Sequence, residues 1–164
     1  MIVAAYAGTG KSEFCKRYPS EAIDLICMPY KYINFYEVAN ELSDEEDIKA
    51  NMDLVLRPNW ENDYYDELKR LNNKYPEKLI IIPTIKSIMS RLKEDDIPYT
   101  VVYPNRDCKE EYRQRYINRG NNQSFLDVFI EGWDVMLDGL DRLGGVVIEI
   151  EEGQYLTDVI QPKA

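Results

Sequence analysis

Ala5-Tyr6-Ala7-Gly8-Thr9-Gly10-Lys11-Ser12 lies directly behind a short β-prone apolar run, Ile2 to Tyr6, and opens a segment, Lys11 to Tyr18, that reads as a helix stopped by Pro19. The octet fits the relaxed phosphate-loop pattern, in which Ala or Gly is followed after four residues by Gly-Lys-Ser/Thr. Each residue type has a chemical reason. Gly8 and Gly10 let the backbone turn with its N–H groups inward and approach phosphate oxygens with no Cβ in the way. Lys11 can then reach the β and γ phosphates of a nucleotide, and Ser12 is placed for Mg²⁺ at the first helical turn, where the dipole also favours anions. Strand, glycine loop and helix are the setting this chemistry requires.

Further apolar runs of strand length, rich in Ile, Val and Leu, follow at Ala22 to Cys27, Leu79 to Ile82, Tyr99 to Tyr103 and Val146 to Ile150, and they read as buried strands. Between and after them Asn62 to Lys74, Thr84 to Lys93, Asp107 to Arg119 and Ser124 to Leu143 carry apolar residues near helical spacing. Strands alternating with helices predict an α/β fold of three layers, with a mainly parallel five-stranded sheet covered on both faces. Ser43 to Asp53 is a charged stretch that reads as a capped surface helix within an insertion. With 164 residues and no repeat or linker, the chain is expected to form one domain over 1–164.

Hydrophobic residues make up 45% of the chain and charged residues 30%, which is globular composition, and thirteen tyrosines are foreign to a disordered tail. The formal net charge of −10 disfavours a nucleic-acid polymer or an anionic membrane as partner, yet permits a small phosphate ligand, because a few cations and N–H groups reverse the potential locally. Cys15, Cys27 and Cys108 are odd in number, widely spaced and unaccompanied by histidine, so they read as plain thiols rather than a disulfide framework or a zinc site. The opening run lacks a basic leader, and no later run is long enough to span a bilayer. A cytoplasmic protein is expected.

The strand and phosphate loop in a chain of this length resemble the small P-loop nucleoside and nucleoside monophosphate kinases, in particular the adenylate-kinase-like proteins of bacteria and their phages. The resemblance extends to Ile23-Asp24-Leu25 followed by Tyr30-Lys31-Tyr32, to Arg57-Pro58-Asn59-Trp60, to Tyr99 to Pro104 running into Glu110 to Gly120, and to Gly153-Gln154-Tyr155-Leu156. It implies a P-loop NTPase fold of the nucleotide kinase type, ATP and Mg²⁺ as cofactors, an acceptor-side insertion at about 28–75 and a lid-like segment at about 107–123.

Site residues follow from both sources. Ala7, Gly8, Thr9, Gly10, Lys11 and Ser12 are the candidate phosphate ligands, and Ser12 is a candidate for the metal. The third strand ends in Pro83-Thr84 and offers no acidic residue, which leaves Asp24, at the end of the second strand, to hold Mg²⁺ through water or accept a proton. A turn-capping Asp24 fits equally well. A second acid two residues later would strengthen a metal site, but Ile26 stands there. In small kinases an arginine-bearing lid closes on the triphosphate, which the resemblance assigns to Arg113, Arg115 and Arg119, with Arg119 beside Gly120 favoured. The plainer alternative is a solvated helix in which Glu111 pairs with Arg115. Trp60, Tyr64 and Tyr65 fit either an acceptor pocket or helix packing, while Lys31, Arg57 and Arg91 are candidate partners of an acceptor phosphate. Trp133 and its apolar neighbours read as core. Tyr155 is placed near the adenine by the resemblance alone.

These readings converge on transfer of the ATP γ-phosphoryl to a small nucleotide or nucleoside, with Lys11, Asp24, Arg115 and Arg119 as agents. Two alternatives stay open. One is a kinase for another small hydroxylated metabolite, and the other is an ATP-binding module with little or no turnover, which the missing acid after the third strand and Ile26 favour.

Overall fold

The computed structural model describes residues 1–36 and 54–162. The stretch Ser43 to Asp53, expected as a capped helix, lies outside the described residues.

Five parallel strands form one sheet: β1 (Ile2–Ala5), β2 (Ala22–Asp24), β3 (Leu79–Pro83), β4 (Tyr99–Pro104) and β5 (Val146–Ile150), in the order β2-β3-β1-β4-β5. The central strand β1 and the following Tyr6 have no exposed surface, as befits a run that is apolar on both sides of the pleat. Ala5, at its carboxyl end, sits opposite Pro83 on one side and Val102 on the other.

Alternate residues serve two hydrophobic layers. Ile2, Ala4 and Tyr6 join Ile80, Ile82, Val101 and Tyr103 on one face, where they meet α3 (Trp60–Lys74), α4 (Lys86–Glu94), α5 (Lys109–Asn118) and α7 (Trp133–Leu143). Val3, Ala5, Ile81 and Val102 point the other way, against Phe14 of α1 (Lys11–Arg17) and Leu156 of α8 (Leu156–Val159). The expected α/β architecture with helices on both faces is therefore present. A short helix, α2 (Met28–Lys31), follows β2 and packs against α3.

This arrangement locates a crevice. The helix that follows β1 lies on one face, whereas the helices that follow its neighbours β3 and β4 lie on the opposite face. The chain thus diverges at the carboxyl end of β1, the topological switch point at which open parallel sheets bind ligands.

Two elements differ from expectation. Val146 and Val147 are 63% and 38% exposed, because β5 lies at the edge of the sheet, paired with β4 alone among the described residues, so it is not the buried strand that its composition suggests. The helix read as continuous from Ser124 to Leu143 is instead α6 (Gln123–Leu126), a π-turn over Asp127–Glu131, and α7 after Gly132. Gly132 permits that widened turn: its N–H donates to Asp127 O, five residues back, and a Cβ there would lie 2.5 Å from the Val128 carbonyl oxygen. The π-turn stacks Phe125 on Phe129 with centroids 4.4 Å apart, and both rings pack on Tyr116, with Phe129 also edge-on to Tyr6.

The expected helix end at Gly120 is a Schellman corner. Gly120, at φ +78°, donates to Ile117 O and Asn121 donates to Tyr116 O, after which the Asn122 side chain caps α6 by accepting from Phe125 N. At the other end of α5, a 3₁₀ turn over Arg106–Cys108 links it to β4, with Arg106 held by Asp138 and Asp141 of α7 at 2.6 and 2.8 Å. Among the described residues, no helix is long and apolar enough to cross a membrane.

Candidate phosphate site

The octet begins at the buried end of β1 and turns sharply at two glycines. Gly8 and Gly10 both take left-handed conformations, at φ +84° and +89°, on either side of the buried Thr9. Successive carbonyls of the loop then find donors in the surrounding scaffold. Tyr6 O accepts from the Thr9 hydroxyl at 2.7 Å, Ala7 O from the Tyr116 hydroxyl at 2.9 Å, Gly8 O from Arg115 Nη1 at 2.9 Å, Thr9 O from Leu156 N at 2.8 Å, and Gly10 O from Phe14 N at 2.9 Å. Lys11 Nζ folds back over the start of the loop and donates to Ala5 O and Tyr6 O, each at 3.2 Å.

Carbonyl oxygens are what repel an anion from a backbone loop. Here the six from Ala5 to Gly10 are engaged by donors, and α1 opens at Lys11 behind Gly10, whose lack of a side chain leaves the start of the helix without a side-chain cap. Alternating backbone conformations of this kind form an anion-binding nest. A side chain at Gly8 would meet Tyr116 Cε1 at 2.9 Å, and one at Gly10 would meet Tyr155 Cδ1 at 3.2 Å, so the glycines also admit the close approach of the aromatic scaffold.

Ser12 and Asp24 are brought together. The Ser12 hydroxyl donates to Asp24 Oδ2 at 3.0 Å, which joins the first turn of α1 to the end of β2. Both are half-buried. The same carboxylate contributes, after burial itself, to holding the neighbouring Cys15 thiol up to about 12. Among the described residues no group of three or more His, Cys, Asp or Glu could hold a metal, so Ser12 and Asp24 form a pair of hard oxygen donors and not a closed cage. Such a pair suits Mg²⁺, which takes few protein oxygens and keeps waters and phosphate oxygens as its remaining ligands.

The arginines part company. Arg115 is 9% exposed in its side chain, and its guanidinium donates to Gly8 O and to Gln154 O at 2.9 and 2.8 Å, pairs with Glu111, and lies 3.9 Å above the Tyr155 ring and 4.6 Å from the Tyr112 ring. The Glu111 to Arg115 pairing expected of a solvated helix exists, but it is largely buried. Arg113 pairs with Glu110 at 3.2 Å on the more exposed side of α5. Arg119, half-buried at the end of the helix, lies 5.9 Å from the Tyr116 ring. Tyr155, 43% exposed, borders a small depression with Gly10, Glu13 and Thr157.

On the opposite side of the crevice, Tyr64 and Tyr65 are core residues. Tyr64 donates to Leu25 O at 2.6 Å and Tyr65 to Asp95 at 2.7 Å, which fixes α3 to the end of β2 and to the end of α4. Trp60 is half-buried with its ring edge-on to Tyr64. Arg91 donates to Asn62 at 2.8 Å, Arg57 lies 3.9 Å from Asp63, and Lys31 lies over its neighbour Tyr32. Trp133 is core, as expected, and donates to Arg106 O at 3.1 Å.

Sequence reasoning missed Tyr116, whose hydroxyl reaches Ala7 O across 109 residues of chain, and it missed Leu156 N. Neither has a signal in its own sequence neighbourhood, since one is an ordinary aromatic of a helix and the other a backbone group. The chain matches no protein-family model, and no relative is found for it among curated proteins.

Proposed function

We propose that this chain binds the polyphosphate of ATP at Ala5 to Ser12, in a P-loop NTPase fold, and transfers the γ-phosphoryl to a small nucleotide or nucleoside. The observation that carries the reading is the loop itself: each carbonyl from Tyr6 to Gly10 is engaged by a donor other than Lys11, which lowers the carbonyl repulsion that an anion meets at the glycine turn. Its place at the switch point beside β1 and the Ser12 to Asp24 contact support the same reading.

Each residue has a role that follows from its position. Lys11 exchanges its two carbonyl partners for phosphate oxygens and supplies a positive charge to them. Ser12 and Asp24 orient the cation that accompanies the nucleotide, and that cation neutralises phosphate charge when bound. Arg119, at the end of α5, supplies charge to the transferred group, and Tyr155 borders the nucleotide on the α8 side.

A second reading, an ATP-binding module with little turnover, has one observation in its favour. β3 ends at Pro83, paired with Ala5, so the strand beside the loop brings no carboxylate to the site. Acceptor-dependent ADP formation across a panel of nucleotides and nucleosides tests the two. Release of ADP with one acceptor class supports the kinase, whereas ATP binding with background turnover throughout supports the module.

A further inference from the structure

Arg115 does something other than reach for a phosphate. Its guanidinium spans two loops that are far apart in sequence, donating to Gly8 O in the glycine turn and to Gln154 O in the turn after β5. Glu111, one helical turn earlier, completes the connection: it pairs with Arg115 and both of its oxygens accept from Gly153 N, at 3.2 and 3.1 Å. A third link runs directly between the loops, from Leu156 N to Thr9 O at 2.8 Å. Tyr155 is held between these bonds, with the guanidinium over its ring and its own ring against Gly10.

We propose that Arg115, seated on Glu111, is a positioning residue that locks the glycine loop to the turn at Gly153 to Tyr155, so that phosphate occupancy of the first and order in the second rise together. The inference rests on the reading of Ala5 to Ser12 as a polyphosphate site. Its physical basis is geometric. A planar, permanently charged fork can satisfy two carbonyls and a carboxylate at once, and a buried arginine between two backbone segments transmits a displacement of one to the other. A shift of the glycine turn on binding an anion is carried to the guanidinium through the bond that Gly8 O accepts. The bond to Gln154 O shares the same guanidinium. Lysine cannot reproduce the fork, because an ammonium is a point donor on a flexible stem.

The test uses the full chain, with inorganic tripolyphosphate and MgATP as probes, calorimetry for affinity and amide hydrogen exchange for residues 153–156. Wild type binds both probes, and the amides of Gly153 and Leu156 exchange more slowly in the bound state. Arg115→Ala weakens tripolyphosphate binding by about tenfold or more, the scale of a lost charge-assisted hydrogen bond, and loses the ligand-induced protection at 153–156. Millimolar guanidinium restores both in Arg115→Ala, a rescue that filling a merely structural role would not bring to the distant turn. Arg115→Lys recovers affinity in part but not the protection. Wild-type binding with no change of exchange at 153–156 overturns this inference alone, and it does so without any variant having to fold. Folded Arg115→Ala with wild-type affinity and protection overturns it equally. Failure of wild type to bind either probe removes the phosphate-loop reading and this inference with it.

Discussion

The Ser12 hydroxyl donates to Asp24 Oδ2 at 3.0 Å, so the first helical turn after the glycine loop and the end of the neighbouring-but-one strand share a hydrogen bond in the crevice. The contact gives Asp24 a position beside any cation that Ser12 would ligate. It also brings a carboxylate to the end of the glycine loop, where β3, ending at Pro83, supplies none. Turn capping alone would not require that partner.

Asp24→Asn is therefore expected to reduce turnover more than ATP affinity. The amide keeps a hydrogen-bond acceptor for Ser12 but loses the charge that orients a cation or accepts a proton. Steady-state kinetics beside calorimetry with MgATP checks this, and an unchanged kcat assigns Asp24 to the turn. The substitution also removes the negative charge that helps raise the Cys15 thiol, so alkylation of Cys15, followed by mass spectrometry at pH 8 to 9, should be faster in the variant.

Lys11→Ala should weaken triphosphate binding far more than folding. Lys11 Nζ donates to two loop carbonyls, and the hydrophobic cores are built from other side chains, so its loss removes a charge from the site. A drop in ATP affinity of about tenfold to a hundredfold corresponds to the ~1.5–3 kcal/mol of a charge-assisted contact. Equal affinity in variant and wild type would sink the phosphate-loop assignment.

The sheet was legible because it rests on local patterns. Ile2 to Tyr6, Leu79 to Ile82 and Tyr99 to Tyr103 are apolar on both sides of the pleat, and that condition reports a covered parallel sheet whatever the rest of the chain does. Val146 to Ile150, apolar but for Glu149, has a different fate, because edge or centre is decided by which strands arrive beside it. The glycine loop was legible for the same local reason, its two positive-φ turns being written as Gly8 and Gly10. What braces the loop was not. Arg115 was visible as one of three arginines on a helix, but its partners Gly8 O and Gln154 O are backbone atoms 107 and 39 residues away, and no spacing rule encodes them. Tyr64 and Tyr65 show the converse, since aromatic residues beside a crevice carry no mark that separates packing from ligand contact until their hydroxyls are seen bonded to Leu25 O and Asp95.

Gly132→Ala is expected to lower stability by ~1–3 kcal/mol, the usual scale of overpacking. The added methyl would sit 2.5 Å from the Val128 carbonyl oxygen, so the π-turn must tighten, and that shifts Phe129 against Tyr6 and Tyr116. Urea denaturation measures the cost. A variant as stable as wild type would show that the widened turn is not maintained by the glycine.

Alkaline pH should unfold the protein through its tyrosines. Tyr6, Tyr112 and Tyr116 have no exposed surface, and burial raises each phenol well above its ordinary value, with Tyr6 and Tyr112 adding to the effect on Tyr116. The unfolded chain releases these protons from about pH 10 upward while the folded chain holds them, so the stability they contribute is complete below that pH and is lost as pH rises through it. Unfolding free energies measured between about pH 8 and pH 11 should fall more steeply in wild type than in Tyr112→Phe. Parallel slopes would mean that Tyr112 ionises without the fold opening.

The last expectation separates two arginines of one helix. Arg115 is committed to Gly8 O, Gln154 O and Glu111, so its removal disturbs the loop before any chemistry and should appear first in ATP affinity. Arg119 stands at the end of α5, half-buried beside Tyr116 and one residue before the Gly120 corner. If it stabilises the charge that develops on the transferred phosphoryl group, Arg119→Ala should cut kcat by roughly 10²–10³ and change ATP binding little, because an interaction made mainly in the transition state raises kcat rather than affinity. A solvated helix-end cation predicts kcat within about twofold of wild type, in line with the small effects of exposed charges. Measured at saturating ATP and acceptor, a loss in affinity for Arg115→Ala together with a loss in kcat for Arg119→Ala assigns bracing to one and catalysis to the other. Full kcat in Arg119→Ala removes it from the catalytic set.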